Sequence, residues 1–444
     1  MPSLPLRKQY RALPAPVRGC CDAFTVQPGH DVSVPALAAT LGTTDTDVDA
    51  HVRHLTGTGL VRPEPGGRYR MPPLFWARAA KELQRRPGRR QLLTERFGDW
   101  CLGHARAAAA IVAPYRTPYP AKIAHLDPAA IAFPTPAAAL DWLANERVTL
   151  LALAHDRKDT DPHLVWLLVD ALRVLFDVRG GLDDRITADG IALDCAVRAG
   201  DPVWLSHAWR RTGWSQYDWG HHAAADDAFQ QAIQSATGID DTRTRIIATA
   251  SATEGLATIY AAEGDIDQAL RLLDAHQGVF TAHGDNRSQG LSALTTAVIL
   301  INAQRPRDAL PVLSIASDML IRAGGTDPYH ATRVGLETGR ALTALGDHDA
   351  AKFILAMALQ QMVTLGLPRG HATAARYLGD LAMRLGCLPE ARAYYETAAD
   401  LYAHLGDHTH TVITDLLNRI DNLQTRRGPR ATTAVRTAAG ARRP

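Results

Sequence analysis

The sequence predicts an all-α fold, most of it an αα-solenoid, and three observations lead there. Between about Val203 and Ile420 a turn residue recurs, with a small residue seven before it, an Ala five after it and another, mostly small, residue seven beyond that. The five sets are Gly213, Gly220, Ala225, Ala232; Ala257, Gly264, Ala269, His276; Ala297, Gln304, Ala309, Ala316; Gly339, Gly346, Ala351, Ala358; and Gly379, Gly386, Ala391, Ala398. The turns are spaced by 44, 40, 42 and 40 residues, which is a solenoid period. A large apolar residue also recurs four after the Ala: Phe229, Leu273, Leu313, Leu355, Tyr395. Finally, 46% hydrophobic residues over 444 positions can bury a large core. Each unit reads as two antiparallel helices. Small residues would sit where the two axes approach, and the large one would fill the wedge between neighbouring pairs.

The chain before the repeats differs. Leu13–Leu83 reads as a small separate domain. Val17, Cys20, Cys21 and Phe24 suit one amphipathic helix starting after Pro14 and Pro16, because the first turn's N–H groups lack intrahelical acceptors anyway. Pro28-Gly29 breaks it, and a short helix runs from about Val34 to Leu41, ended by Gly42. Thr44 caps a third helix with Val48, Val52 and Leu55 inside. Leu60–Arg62 and Arg68–Met71 predict two strands around Pro63-Glu64-Pro65-Gly66-Gly67. Three helices and a two-stranded ribbon make a winged helix. Residues 84–136 form a connector: charged helix over Lys81–Trp100, an Ala-rich run Ala105–Ala113, then six prolines from Pro114 to Pro136. Residues 137–202 hold helices Ala137–His155 and the strongly apolar His163–Asp177, then a degenerate repeat in Gly180–Gly200. Five repeats fill 203–423, and the tail 424–444, without periodicity, is expected to be disordered.

Charge and cysteine content exclude several classes. The net charge is +2, but the tail carries six arginines and no acid, which leaves the body at about −4. A general nucleic-acid binder is basic over a whole domain. The five cysteines form no C-x-x-C pair, which suits a reducing cytosol. Met1–Pro16 has no apolar segment of the signal-peptide kind, and no run of eighteen apolar residues exists to span a membrane. The expectation is a cytoplasmic protein.

The repeat spacing resembles the tetratricopeptide (TPR) family in a long-loop form. The runs Tyr10-Arg-Ala-Leu-Pro, Pro28-Gly-His-Asp-Val-Ser and Gly59-Leu-Val with Gly67-Arg-Tyr-Arg-Met look like the winged helix that follows the nucleotide-binding (NB-ARC) domain in actinobacterial STAND-type regulators. Ala139-Leu-Asp-Trp-Leu-Ala-Asn-Glu-Arg-Val-Thr-Leu is similar to that family's connector, and the TPR array follows in the same order, so the resemblance runs from Tyr10 to about Leu423. Two departures stand against it. None of the five lysines (8, 81, 122, 158, 352) stands in a G-K-[ST] context, so there is no P-loop to cradle phosphates. Where the family has a Met-His-Asp-type motif whose His senses the nucleotide, this chain reads Met71-Pro72-Pro73, and Pro offers neither imidazole nor backbone donor. The resemblance then implies a regulator that has lost its ATPase, has it on another chain, or is a fragment of a full NB-ARC regulator. No nucleotide is expected to bind.

The third helix of the winged helix carries Asp45, Asp47 and Asp49 against Arg53, which disfavours DNA; only the wing is basic, with Arg62, Arg68 and Arg70. A DNA-binding transcription regulator with a TPR sensor is therefore the second reading. His51/His54, His221-His222 and His404/His408/His410 lack the Cys or carboxylate company of a metal site. No G-x-S-x-G elbow or activated Cys marks an enzyme. Trp204, Trp209, Trp214 and Trp219 step by five residues, about 140° on a helix, so they cannot share one stripe. In TPR arrays the first helices line a concave, peptide-binding face. Carried onto this sequence, that face includes Arg210, Trp214 and Tyr217, then Glu254, then Leu294 and Val298, then Arg333, Arg340, Arg376 and Arg384. It would run from aromatic through apolar to arginine-rich, unless curvature buries the apolar middle as core. The predicted partner is a protein or peptide, and no cofactor or metal is expected.

Overall fold

The computed structural model describes residues 6–29, 31–116, 131–324, 327–405 and 409–426. The expected disorder from residue 427 on, and the helix end at Gly406-Asp407, lie outside the described residues. By its internal contacts the chain divides into two compact units. One comprises Met1–Asp177, Asp184–Gln216 and Ala223–Ala252; the other comprises Val178–Asp183, Tyr217–His222 and Thr253–Pro444.

The first unit opens with a helix that composition alone does not show, α1 (Leu6–Ala12). Its Tyr10 is buried and donates its hydroxyl to buried Asp22 at 2.6 Å. Three helices follow where expected: α2 (Ala15–Thr25), then α3 (Val34–Leu41) after the strand β1 (Val32–Ser33), then α4 (Asp45–Gly57). Gly42 ends α3 in the left-handed region at φ 69°, and Thr44 caps α4 by accepting from the Asp47 amide. The hairpin is β2 (Arg62–Glu64) and β3 (Arg68–Arg70). β1 was not expected, because two residues are too few to show alternation. It pairs antiparallel with β3, giving the order β1-β3-β2. Cys20, Leu37, Val52, Leu55 and Phe75 fill the core between these elements. The three helices and the hairpin stand in the expected order, with α1 and β1 in addition.

The charged helix expected over Lys81–Trp100 is two helices, α5 (Pro73–Gln84) and α6 (Pro87–Val112). Pro87 takes an early position of α6 and cannot continue α5, since it lacks the N–H and clashes with the preceding turn. α7 (Pro136–Arg157) and the apolar α8 (Pro162–Arg179) come next. Gly180–Gly200, read as a degenerate repeat, is one helix, α9 (Leu182–Ala199).

All five repeats then appear in register. The pairs are α10 (Pro202–Trp219) with α11 (His222–Ala236), α12 (Thr242–Glu263) with α13 (Ile266–Ala282), α14 (Asn286–Asn302) with α15 (Pro306–Arg322), α16 (Pro328–Leu345) with α17 (His348–Thr364), and α18 (Pro368–Arg384) with α19 (Leu388–His404). A last helix, α20 (Thr409–Arg426), buries Ile413 and Ile420. The turn position is left-handed throughout. In the third unit it is Gln304, φ 61°, the only non-glycine residue with positive φ among those described. The large residue lies on the small residue of its own pair: a Cβ added to Gly213, Gly339 or Gly379 would meet Phe229, Leu355 or Tyr395 at 2.6, 2.5 and 2.6 Å. Leu273, Leu313 and Tyr395 also share clusters with residues of the next helices, as a wedge between pairs would. Among the described residues no helix is long and apolar enough to cross a membrane.

Candidate partner-binding face

The ten predicted face residues all stand on first helices, but they are not one open set. Arg210 and Trp214 belong to the first compact unit and the other eight to the second. In the first unit, Trp214 packs edge-on against Phe229 with centroids 5.3 Å apart, and Arg210 is half-buried. Part of the Trp214 ring is thus spent within its own pair, and the side chain remains half-buried. The other tryptophans scatter as the five-residue step requires: Trp204 stacks on Trp166 at 4.9 Å and 5°, Trp209 is half-buried, and Trp219 is 38% exposed.

In the second unit the apolar middle is core. Leu294 is 2% exposed, in one cluster with Ala293, Ala297 and Leu313, and Val298 packs against it. Leu294 is therefore no open anchor, and Val298 keeps only part of its surface accessible. Tyr217 stacks on His222 at 5.3 Å.

The polar members form a ladder from one first helix to the next. Glu254 of α12 accepts from the Thr295 hydroxyl of α14 at 2.6 Å. Asn302 of α14 bonds Arg340 of α16. Glu337 of α16 accepts from the Tyr377 hydroxyl of α18 at 2.9 Å and from Arg340 at 2.9 Å. These partners stand 41, 38 and 40 residues apart, one repeat period each. Near the N-terminal end of the same helices, Arg287 of α14 pairs at 2.8 Å with Asp327, which caps α16 by accepting from His330 N. Side chains thereby fix successive first helices against each other, since a buried donor or acceptor without a partner costs about 1–3 kcal/mol. Arg340 was expected to offer its charge to a partner; instead it is shared among Glu337, Asn302 and the Tyr377 oxygen at 3.3 Å.

What remains accessible lies toward the arginine end. The Arg376 guanidinium lies 4.8 Å over the Tyr377 ring, and Arg333 lies 5.8 Å over Tyr329. Arg384 is exposed. Burial pushes the Tyr377 hydroxyl up to about 12, reinforced by the charge of Glu337, so it stays a donor. Burial also raises the Asp380 carboxyl, against the bond it accepts from Tyr395 at 2.7 Å and the charge of Arg376. The ladder escaped the sequence reading, although its signal is present: with the five units aligned, polar residues recur one period apart at inner positions.

In the N-terminal module most of the charged residues weighed for DNA contact have local partners. Asp47 accepts from the hydroxyls of Thr43 and Thr44 at the start of α4, and Asp49 pairs with Arg53 at 3.0 Å. Arg68 of the hairpin is engaged by Asp31 and, at 2.6 Å, by buried Glu146 of α7, and Arg70 pairs with Glu64 at 3.1 Å. Met71 is buried and Pro73 begins α5.

No family model matches the chain. Over 137 residues it is 37% identical to the regulatory protein AfsR of Streptomyces griseus, a stretch that is 28% of this chain and 13% of that protein. The fold is similar to a solved STAND (signal transduction ATPase with numerous domains) protein with a tetratricopeptide repeat sensor from Pyrococcus horikoshii. The TM-score is 0.53 at 11% identity, covering 94% of this chain and 57% of that one. Yeast Tom70 aligns at TM-score 0.43 and 13% identity, over 88% of this chain and 81% of its own, too distant to bear on the argument. The chain therefore spans less than two thirds of both AfsR and the STAND protein. Its class is an all-α solenoid of TPR-like repeats.

Proposed function

We propose that this chain is a non-catalytic, cytoplasmic regulatory adaptor that binds an acidic segment of a protein partner at the arginine end of the second unit's first helices. The observation that carries this reading is the grouping of Arg333, Arg376 and Arg384 on α16 and α18. They are half-buried or exposed, and the Glu337–Arg340–Tyr377 ladder holds their helices fixed. Guanidinium groups grip carboxylates bidentately, and pre-fixed helices reduce the ordering cost of binding. The stretch shared with a regulatory protein and the TPR-like fold favour a regulatory role over an enzymatic one. The finer family reading, a winged-helix regulator of the STAND type, fits the N-terminal module. Met71-Pro72-Pro73 favours the absence of nucleotide contact there, and calorimetry with Mg-ATP and ADP is expected to show no saturable binding.

The paired arginines of the hairpin speak against the DNA reading. Gel shifts are expected to show nothing tighter than the ~10⁻⁶ M non-specific range. The partner-binding test is capture of interacting proteins from the native cytosol, followed by binding kinetics with the captured partner. Arg376→Glu with Arg384→Glu should slow association and flatten its salt dependence, with helical content unchanged. Unchanged kinetics in a folded double variant would move the site elsewhere.

A further inference from the structure

We infer that the first unit carries a binding face for the phosphodiester backbone of a nucleic acid, held without regard to sequence, where α1 meets the corner between α5 and α6. The first hundred residues contain fifteen Lys and Arg against nine Asp and Glu, a net of +6 in a chain whose total is +2. The surplus gathers at this corner.

α1 brings Arg7, Lys8 and Arg11, all exposed. It lies on α5, its Tyr10 ring 6.3 Å from that of Phe75, and both are buried. α5 and the residue that caps it present Arg78, Lys81 and Arg85, three and four residues apart, which puts them on one helix face. α1 and this face adjoin: burial first, then the charges of Arg7, Arg85 and Arg11, hold the Arg78 pKa below its ordinary value. Arg86, Arg89 and Arg90, each exposed, carry the surface round into α6. Two carboxylates answer this group. Asp22 takes Arg86 at 2.9 Å and Arg89 at 3.0 Å, and Glu82 takes Arg85 at 3.0 Å and also Arg78. Arg7, Lys8, Arg11, Lys81 and Arg90 have no ion pair among the described residues.

The chemistry of the face selects its guest. Seven of these nine cations are arginines, whose planar fork matches the oxygens of a phosphate. A membrane would need an apolar stripe to insert beside them. These helices turn theirs inward, on Tyr10, Phe75, Leu83 and Leu93. Of the large apolar side chains they expose, Leu74 and Trp76 stand about 200° apart on α5, and Leu92 stands singly on α6. An acidic protein would want a clustered aromatic or apolar anchor, which the same arrangement withholds. A phosphate backbone needs cations alone, since the counterions it releases supply the affinity. The face uses neither α4, whose Asp45, Asp47 and Asp49 repel phosphate, nor the hairpin, whose Arg68 and Arg70 are paired.

The test is fluorescence anisotropy of labelled short duplexes with the full chain, between about 50 and 200 mM salt. Two DNA duplexes of unrelated sequence are expected to bind alike, in the ~10⁻⁴–10⁻⁶ M range at physiological salt, with log K falling steeply against log salt. Duplex RNA beside them tells which backbone is the better source. Arg7→Gln, Arg11→Gln, Lys81→Gln and Arg90→Gln together should flatten the slope by about 3.5 and weaken binding at least ~100-fold at ~50 mM salt, with helical content unchanged. The arginines from Arg426 on stay in both proteins, so the difference belongs to the face. Should the fourfold variant not fold, Arg7→Gln with Arg11→Gln should still take about 1.8 from the slope. Arg53→Gln with Arg62→Gln, on α4 and the hairpin, should change neither quantity. No binding at the lowest salt, a slope unmoved in the folded variants, loss in the Arg53 and Arg62 variant instead, or equal affinity for polyglutamate or anionic lipid vesicles would each overturn the face.

Discussion

Arg211 and Glu337 stand at the same place in their repeats, nine residues before the turn glycine, and both are buried, at 4% and 7% exposure. Their surroundings are opposite. Glu337, in the second unit, is answered from two sides by Arg340 and Tyr377. Arg211, in the first, shares Asp170 with Arg116 and keeps two N–H groups without an acceptor among the described residues. The comparison teaches that repeat position decides burial and says nothing about how a buried charge is satisfied. In one unit the chain supplies its own counter-charges, and the arginine heads left over can look outward. In the other, two arginines share one carboxylate.

The widest test of that contrast is to remove the answered charge. Glu337→Ala leaves Arg340 without its nearest carboxylate and Tyr377 without its acceptor, and should cost about 3 kcal/mol in urea unfolding, as broken buried pairs do. An effect under ~1 kcal/mol would mean that the ladder contributes little. The first unit should instead reveal itself through pH. Folding holds the His207 pKa near 3, below its ordinary value of about 6.5, so the folded form resists the proton. Its contribution is complete above pH ~6.5 and is lost as pH falls toward ~3, on the order of 2 kcal/mol by pH ~4.5. Thermal melts of the native chain and His207→Gln should converge as pH drops; parallel curves would contradict this.

Smaller still is the packing common to both units. Gly379→Ala pushes a methyl group to within 2.6 Å of the Tyr395 ring and should destabilise by about 1–2 kcal/mol, with Gly213→Ala against Phe229 behaving alike. If differential calorimetry shows no loss in either, the helix pairs can separate more easily than their spacing implies. The smallest expected effect is Tyr377→Phe, about 1 kcal/mol, because it deletes one rung while Arg340 still holds Glu337.

Much of this architecture was legible in the sequence. Turn glycines, the small residue seven before them and the large one after report directly on helix length and close approach, and each helix pair falls where they put it. Gln304 kept its place in the series because its neighbours matched, although its side chain gave no sign of a left-handed backbone. The parts that escaped depend on long-range partners. The strand β1 exists because β3 pairs with it. Leu294 was set on a first helix, but only packing decides whether such a face is open, and residues of α15 join it in one core cluster. Arg340 and Arg68 looked like available cations; Glu337, one turn away on the same helix, engages the first, and Glu146, 78 residues away, engages the second.

The central claim, that the arginine end of the second unit's first helices takes an acidic partner segment, is best tested by selecting random phage-displayed peptides on the full chain. The account predicts that bound peptides are enriched in Asp and Glu. It also predicts that they lose at least ~10-fold in affinity, about 1.4 kcal/mol, on Arg376→Glu with Arg384→Glu, while Trp214→Phe leaves binding unchanged. Selected peptides with no acidic bias, or ones that bind the folded double variant equally well, would contradict it.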